Sequence, residues 1–141
     1  MSQSPEAVIR EWFEQLWNQK KIETIDRLFA ADGIAHGLSG DVMKGPEGFR
    51  PFFSTFAEAF PDLHIDIVRA IVQGEFVVVH THVTGRHEGH TLGFAATGRN
   101  ATFEGVTIAR IVDGKIAEGW NFYDFLSMYQ QLGVMPPALG A

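Results

Sequence analysis

The chain has no cysteine, and its basic residues are outnumbered by acidic ones. The absence of cysteine excludes disulfides, thiolate catalysis and cysteine–zinc sites. With 11 Lys and Arg against 17 Asp and Glu, the formal net charge is −6 at pH 7. Phosphate binding needs clustered Lys and Arg, and the only adjacent basic pair is Lys20-Lys21. We therefore predict that the protein binds neither nucleic acid nor an acidic membrane surface.

Long apolar runs are also missing. No run approaches the roughly 20 residues that span a bilayer, and the N-terminal residues lack the basic and apolar regions of a signal peptide. A soluble cytoplasmic protein is expected. The 141 residues predict a single domain over 1–141, with an ordered core at about 4–133 and a loose tail at 134–141. With 12 Phe and 3 Trp, the chain can build both a core and an apolar cavity.

The first half of the chain predicts three helices. Ser4 as a cap and Pro5 as the first helical residue begin an amphipathic pattern that runs to about Gln19. Apolar spacing suggests a second, short helix from about residue 22 to the Ala31-Asp32-Gly33 region. A third is predicted at about 46–60, with Pro51 expected to kink it or delay its start.

The second half predicts strands and one last helix. The pattern of residues 63–72 and 76–85 predicts a β-hairpin, and a weak strand is expected around 91–94. Residues 101–111 and 116–123 read as a longer hairpin around Asp113-Gly114, a pair suited to a type I′ turn. A helix over 124–132, closed by Gly133, follows. The order of elements predicts an α+β fold in which a curved antiparallel sheet wraps the N-terminal helices and forms a cone with an internal pocket.

Six local strings are distributed along nearly the whole chain: Gly45-Pro46-Glu47-Gly48, Phe60-Pro61-Asp62-Leu63, Thr84-Gly85-Arg86-His87-Glu88-Gly89, Gly93 with Thr97-Gly98-Arg99, Arg110 to Ile116, and Asp124 with Gln130-Gln131-Leu132-Gly133. In their composition and order they resemble strings of the SnoaL-like polyketide cyclases, which have the nuclear-transport-factor-2-like cone fold.

The resemblance implies an enzyme that closes a polyketide ring by intramolecular aldol condensation without a metal or bound cofactor. In that family an aspartate on the last strand is the acid–base group, and a histidine on the preceding strand assists it. Aligned through the Asp113-Gly114 hairpin, these positions carry Asn121 and Thr107. An amide cannot act as a base near neutral pH, so proton transfer would need another group.

Three residues are therefore the candidate catalytic groups: Asp124, His87 and Asn121. Asp124 is the carboxylate nearest to Asn121 along the chain, and it either exchanges protons at the pocket mouth or caps the last helix. His87 either acts as a base or donor at physiological pH or ties down a loop. Asn121 would polarise a carbonyl group.

The pocket wall is expected to include residues that bind substrate: His36, Thr107, Trp120, Tyr123, Phe53 and Trp12. His80 and His82, two positions apart on one strand, have the spacing of metal ligands, but no carboxylate accompanies them at ligand spacing. A solvent or subunit-contact face explains them better. We therefore expect no metal and no cofactor.

Our first hypothesis is a SnoaL-like enzyme that cyclises or isomerises a hydrophobic substrate by cofactor-free proton transfer. The second is a ligand-binding module of the same fold that has lost the acid–base pair. A third is another reaction known for this fold, such as ketosteroid isomerisation or epoxide hydrolysis. Epoxide hydrolysis in this fold requires an Asp–Arg–Asp group, and the sequence shows no second carboxylate for the pocket. The resemblance also implies a homodimer through the open sheet face, with His80, His82 and Phe76 as candidate contacts.

Overall fold

The first helical region begins as predicted but changes its winding halfway. The computed structural model describes residues 3–134. Ser4 caps the first helix by accepting a hydrogen bond from the Ala7 amide at 3.1 Å. Helix α1 (Pro5–Glu11) then continues into a π-helical segment, Trp12–Asn18.

The π winding has a consequence for packing. A π-helix closes i→i+5 hydrogen bonds and turns less per residue than an α-helix. Residues four and five positions apart therefore fall closer to one line on its surface. Four large apolar side chains are buried on this face: Trp12, Phe13, Leu16 and Trp17.

The second helix is shorter than predicted. Helix α2 (Glu23–Leu28) stops where strand β1 (Phe29–His36) begins. The predicted extension to residues 31–33 is wrong, because these residues belong to an irregular part of β1, between Phe29 and Ile34, which both pair with the strand at residues 115–123. Strand β2 (Met43–Lys44) is a two-residue edge piece.

Helix α3 (Gly45–Ala59) confirms the third predicted helix, and Pro51 lies inside it. The helix begins at Gly45, so the later start considered for Pro51 does not occur. Proline has no amide hydrogen, so this position leaves one helix carbonyl without its usual donor. Three phenylalanines of α3 face the concave side of the sheet, namely Phe49, Phe52 and Phe56.

The remaining strands are β3 (His64–Gln73), β4 (Phe76–Arg86), β5 (Asn100–Val112) and β6 (Lys115–Tyr123). They complete a six-stranded sheet in the order β2-β1-β6-β5-β4-β3. The sheet is mixed, because β1 runs parallel to β6, whereas every other pair is antiparallel. The wholly antiparallel sheet that we expected is corrected in this one pairing, since the prediction lacked β1.

The hairpin between β5 and β6 matches its prediction in detail. Asp113 and Gly114 have φ values of 51° and 74°, as a type I′ turn requires. The resulting register sets Thr107 opposite Asn121 and Gly105 opposite Tyr123. Burial alternates along β5 from residue 101 to residue 111, so these four positions face the interior.

The predicted weak strand at 91–94 is wrong, because those residues form turns and bends. Hydrogen bonds from side chains, and not pairing with a neighbouring strand, stabilise this loop. The Thr91 hydroxyl donates to the Thr55 carbonyl at 2.6 Å, and His90 Nδ1 accepts from the Ala96 amide at 2.9 Å.

Helix α4 (Phe125–Leu132) is confirmed and ends at Gly133 with a left-handed φ of 79°. Apart from Val134, the predicted tail at 134–141 lies outside the described residues. Among the helices formed by residues 3–134, none has the length and apolar character that crossing a bilayer requires.

Candidate active site

A cavity lies between the helices and the concave face of the sheet. Its volume is about 70 Å³, which is room for a few water molecules. Its wall is largely aromatic and aliphatic, formed by α1, the π-helical segment, α3 and the inward positions of the strands. The lining aromatic residues are Trp12, Phe13, Trp17, Phe29, Phe49, Phe52, Phe56, Phe103, Tyr123 and Phe125.

A short chain of hydrogen bonds forms the polar part of this wall. Asn121 Nδ2 donates to the backbone carbonyl of His36 at 2.9 Å, and Thr107 Oγ1 donates to Asn121 Oδ1 at 2.8 Å. Thr107 and Asn121 are the cross-strand partners defined by the hairpin register. The two positions that the resemblance implied for an acid–base pair are thus side by side, joined by a hydroxyl–amide bond.

Tyr123 extends this chain. Its hydroxyl lies 3.2 Å from Thr107 Oγ1 and accepts from Thr81 Oγ1 at 3.1 Å. Burial raises the pKa of the Tyr123 phenol above its ordinary value, and the hydrogen bonds with Thr107 and Thr81 oppose this shift only in part. The residue as a whole is half-buried because it also borders an outer groove. The phenol is therefore neutral, and a hydrogen-bond donor, near neutral pH.

Three of the predicted wall residues line the cavity: Trp12, Thr107 and Tyr123. Phe53 is buried one layer behind and packs against Trp17 with ring centroids 5.1 Å apart. Phe53 therefore supports the wall without forming part of it.

His36 and Trp120 lie on the outer side of the sheet. Their rings stack at a centroid distance of 5.6 Å, and His36 Nε2 lies 2.7 Å from a Glu118 carboxylate oxygen. Trp120 is adjacent to the inward Asn121, and the period of two along a strand turns it outward. His36 does not line the cavity, but its backbone carbonyl accepts the hydrogen bond of Asn121, which does.

His87 is fully buried but is not part of the cavity wall. Its ring packs between Phe60 and Phe94, and its Nδ1 accepts from the Thr97 amide at 3.1 Å. Its Nε2 is buried without a hydrogen-bond partner. Burial, aided by the nearby His90, lowers the pKa of His87, so the ring is held neutral.

Asp124 is an exposed residue at the start of α4. Its carboxylate accepts from the Ser127 amide at 3.0 Å, which is the bond that an N-cap makes. It borders a shallow groove on the outer side of the sheet, and it does not line the inner cavity. Of the three catalytic candidates, only Asn121 lines the inner cavity.

The outer groove contains a histidine–carboxylate pair. His80 Nε2 lies 2.7 Å from Glu104 Oε1. Within residues 3–134, no group of three or more potential ligands is placed to hold a metal ion. His82 lies on the same face as His80, opposite Asp66 of β3.

The sequence analysis selected Phe53 of α3 but not Phe49, Phe52 and Phe56, which line the cavity. It also did not select Thr81, which bonds to Tyr123 and is not itself part of the cavity wall. Thr81 has the same strand parity as the inward Val79 and Val83, which is a signal that the sequence contains. Its proximity to Tyr123 depends on pairing across three strands.

Sequence comparison relates the chain to known cyclases. A sequence model of the SnoaL-like polyketide cyclases matches residues 7–132. A nogalonic acid methyl ester cyclase of Streptomyces nogalater is 32% identical over 122 residues, covering 83% of this chain and 89% of that protein. An aklanonic acid methyl ester cyclase of Streptomyces peucetius is 35% identical over 92 residues, covering 64% of this chain and 63% of that protein. The chain thus spans less than two thirds of this second relative.

Solved structures share the fold. A protein of Jannaschia sp. CCS1 assigned to the SnoaL-like polyketide cyclases superposes with a TM-score of 0.84 at 22% identity, over 94% of this chain and 93% of that one. A Catenulispora acidiphila protein with a ketosteroid-isomerase-like fold gives a TM-score of 0.77 at 21% identity, over 94% and 96%. The chain belongs to the SnoaL-like polyketide cyclase family, because the sequence model of that family matches residues 7–132.

Proposed function

We propose that the protein is a cyclase that acts on a hydrophobic polyketide-like substrate within the inner cavity. It would close a ring by intramolecular aldol addition, or move a proton in an isomerisation, without a bound cofactor and in the cytoplasm. The observation that carries this proposal is an aromatic cavity with one hydroxyl–amide–phenol group on its wall. Such a wall fits a flat, apolar molecule and orients it through a few polar contacts.

Asn121 has the role of polarising a substrate carbonyl. Its amide nitrogen carries two hydrogens, and the His36 carbonyl uses one of them. The second hydrogen is free to donate to a carbonyl oxygen in the cavity. Thr107 holds the amide oxygen, so the orientation of the side chain is fixed from both ends.

Substrate entry requires movement of the wall. The cavity of about 70 Å³ is smaller than the roughly 300–1,000 Å³ typical of small-molecule sites. Leu38, Phe52, Phe56 and Phe125 line it and are only half-buried. They are the side chains that we expect to shift when a multi-ring molecule binds.

The test is conversion of the methyl esters of nogalonic and aklanonic acid, the compounds named in the two related cyclases. We expect the wild type to consume at least one, as followed by chromatography. Thr107→Val keeps the side-chain shape but removes the bond that holds Asn121. We expect it to lower turnover roughly 10-fold, because about 1.4 kcal/mol of orientation energy corresponds to that factor. Full turnover in Thr107→Val would contradict the role given to this pair.

Asp124→Asn tests the remaining carboxylate. Asparagine caps a helix about as well as aspartate, and Asp124 borders the outer groove without lining the cavity. We therefore expect unchanged turnover and an unchanged unfolding midpoint. A selective loss of turnover would return Asp124 to the catalytic group.

A non-catalytic binding module is the second candidate. One observation favours it: among the described residues that line the cavity, Tyr123 is the only one that titrates. Two of the three tryptophans, Trp12 and Trp17, line the cavity, so their fluorescence reports binding. A ligand that quenches this fluorescence and is recovered unchanged would support the module over the enzyme.

We also propose that the outer face of the sheet pairs with a second copy of the chain. Ile71, Phe76 and Phe122 are 61%, 40% and 62% exposed, and they share this face with the His36–Trp120 stack. Contiguous apolar surface of this kind marks contact sites on proteins. His80 and His82 lie on the same face, as the predicted dimer contact requires.

A further inference from the structure

Tyr123 combines two properties that no other described residue of the cavity wall has. It carries a proton that can be donated, and it is the only ionisable group of that wall among residues 3–134. The cavity contains no carboxylate and no histidine in this part of the chain. Acid–base work within it must therefore involve the phenol or solvent.

The position of the Tyr123 ring depends on the glycine opposite it in the hairpin. Gly105 is the register partner of Tyr123, and a Cβ atom at position 105 would lie only 2.2 Å from the tyrosine ring. The ring therefore lies directly over the Gly105 backbone, and Phe125 stacks beside it with centroids 6.0 Å apart. This arrangement fixes the hydroxyl between Thr81 and Thr107.

The hydrogen bonds around the phenol leave only hydroxyl oxygens to accept its proton. Asn121 donates to the His36 carbonyl, which leaves its Oδ1 facing Thr107. Thr107 has a single hydroxyl proton, and the 2.8 Å bond to Asn121 uses it. Thr81 also has a single hydroxyl proton, with two acceptors at 3.1 Å, the Gly105 carbonyl and the Tyr123 oxygen. The Tyr123 hydroxyl can therefore donate to the Thr107 oxygen at 3.2 Å or to the Thr81 oxygen at 3.1 Å, and its proton is bound by neither a carbonyl nor a carboxylate.

We propose that Tyr123 is a catalytic acid that donates its proton to the alkoxide oxygen formed in the cavity. This inference rests on the proposed cyclase function. An enolisable carbon of the substrate loses its proton to water, and the resulting carbanion attacks a carbonyl carbon in the same molecule. One carbon–carbon bond forms, the carbonyl π bond breaks, and the new alkoxide takes the phenolic proton. The hydronium ion then returns a proton to the tyrosinate, so the net reaction is an isomerisation.

The environment suits this direction of transfer. Burial raises the pKa of the phenol, which keeps the proton in place until an oxyanion forms beside it. The Thr81 hydroxyl lies within hydrogen-bond distance of the phenolic oxygen, so it is placed to donate to the tyrosinate that remains. A neutral donor aimed at developing negative charge is an effective form of transition-state stabilisation.

The direct experiment compares Tyr123→Phe with the matched control Tyr129→Phe. Tyr129 is the other of the two tyrosines, and it packs against Phe94 outside the cavity wall. With the ester that the wild type converts, we expect Tyr123→Phe to lower kcat roughly 100- to 1,000-fold with little change in KM. Tyr129→Phe should retain wild-type kinetics. Wild-type kcat in Tyr123→Phe would overturn the proposal and leave the cyclase function standing.

Gly105→Ala gives a second route to the same conclusion. The added methyl group must displace the tyrosine ring, so kcat should fall in the wild-type background. In the Tyr123→Phe background the same change should have little further effect on kcat, because the donor is already absent. Equal losses in both backgrounds would show that Gly105 acts independently of the phenol and would count against the proposal.

A binding measurement separates this inference from the cyclase function. The probe is 4-nitrophenol, whose neutral and anionic forms absorb at different wavelengths. A donor at Tyr123 predicts that the wild type binds at least 10-fold more of the anion relative to the neutral form than Tyr123→Phe does. If neither ester reacts but this preference holds, the cyclase assignment fails on these substrates and the donor role stands. An equal preference in both proteins, or no binding by the wild type, overturns the donor role.

Discussion

Two side chains, Asn121 and Thr107, determine what the polar wall of the cavity is able to do. A carboxylate at position 121 would face the His36 carbonyl oxygen with no proton between them unless it were protonated. The amide donates to that carbonyl and accepts from Thr107, so both bonds form. The positions that the resemblance implied for an acid–base pair thus carry a neutral pair, and under the proposed function proton transfer would pass to other groups.

His87 is a second residue whose surroundings fix its state. Its ring is buried between two phenylalanines, and its pKa is lowered from the ordinary value of 6.5 chiefly by that burial. The unfolded chain therefore takes up a proton at a higher pH than the native protein does. The contribution of His87 to stability is fully present above pH 6.5 and is lost as the pH falls towards the lowered pKa.

The lowered pKa of His87 predicts that the stability of the protein falls at acidic pH. Between pH 7 and pH 5 the free energy of unfolding should fall in the wild type, by at most about 1.4 kcal/mol per pH unit for one proton. His87→Asn, which keeps an acceptor near the Thr97 amide but does not titrate, should show a smaller fall. Urea denaturation at several pH values measures both proteins.

The control for this experiment is Phe53→Leu, because it removes buried packing against Trp17 but no titratable group. It should lower the free energy of unfolding by a similar amount at every pH and so keep the slope of the wild type. If His87→Asn and the wild type lost stability in parallel, the acid sensitivity would have to arise elsewhere in the molecule.

At the scale of elements, the π-helical segment is the least expected feature of the fold, and it is attached to the sheet at its end. The Asn18 amide donates to the Ile65 carbonyl at 2.9 Å and accepts from the Ile65 amide at 2.7 Å. Since β3 is an edge strand, these are backbone groups that no neighbouring strand would satisfy. Lys20 Nζ adds bonds to the Trp17 and Leu63 carbonyls at 2.6 and 2.7 Å.

Asn18→Ala should therefore destabilise the protein by about 1–3 kcal/mol, because it leaves two half-buried backbone groups without partners. Gln19→Ala is the control, since Gln19 is exposed and bonds only to the neighbouring Glu14 among the described contacts. Thermal or urea unfolding gives the difference. Equal stability of the two variants would show that this attachment contributes little.

At the scale of the whole molecule, the sheet has two different apolar faces. The concave face encloses the cavity, whereas the convex face presents Phe76 and Phe122 to solvent. Isolated exposed hydrophobic side chains are common on protein surfaces, whereas a contiguous cluster of them on one sheet face is typical of a surface that another protein covers.

We expect the wild type to sediment as a dimer and Phe122→Glu to sediment as a monomer, because a buried unpaired carboxylate at the centre of the contact is costly. Leu126→Glu is the matched control, since Leu126 is 41% exposed but lies on α4 and not on the sheet. Sedimentation of the wild type only as a monomer would exclude this interface.

Local signals predicted most of the elements because each depends on a few neighbouring residues. The Ser4 cap, the Asp113-Gly114 turn and the Gly133 stop all appear where their chemistry predicts. Strand β1 did not follow from such signals, since it is formed by parallel pairing with β6, far along the chain. The π-helical segment was not predicted, because the spacing of apolar residues that predicts an α-helix is also compatible with a π-helix.

The amino-acid sequence by itself determined the family resemblance, the main hairpin and the identity of the groups at positions 107 and 121. Only the tertiary structure decided which side chains meet in the cavity. It set Trp120, His36 and Asp124 outside the wall and brought Thr81 to Tyr123 across three strands. The physical reason is that strand parity and register assign faces only after the strands have paired, and a one-residue change in register would exchange the two faces.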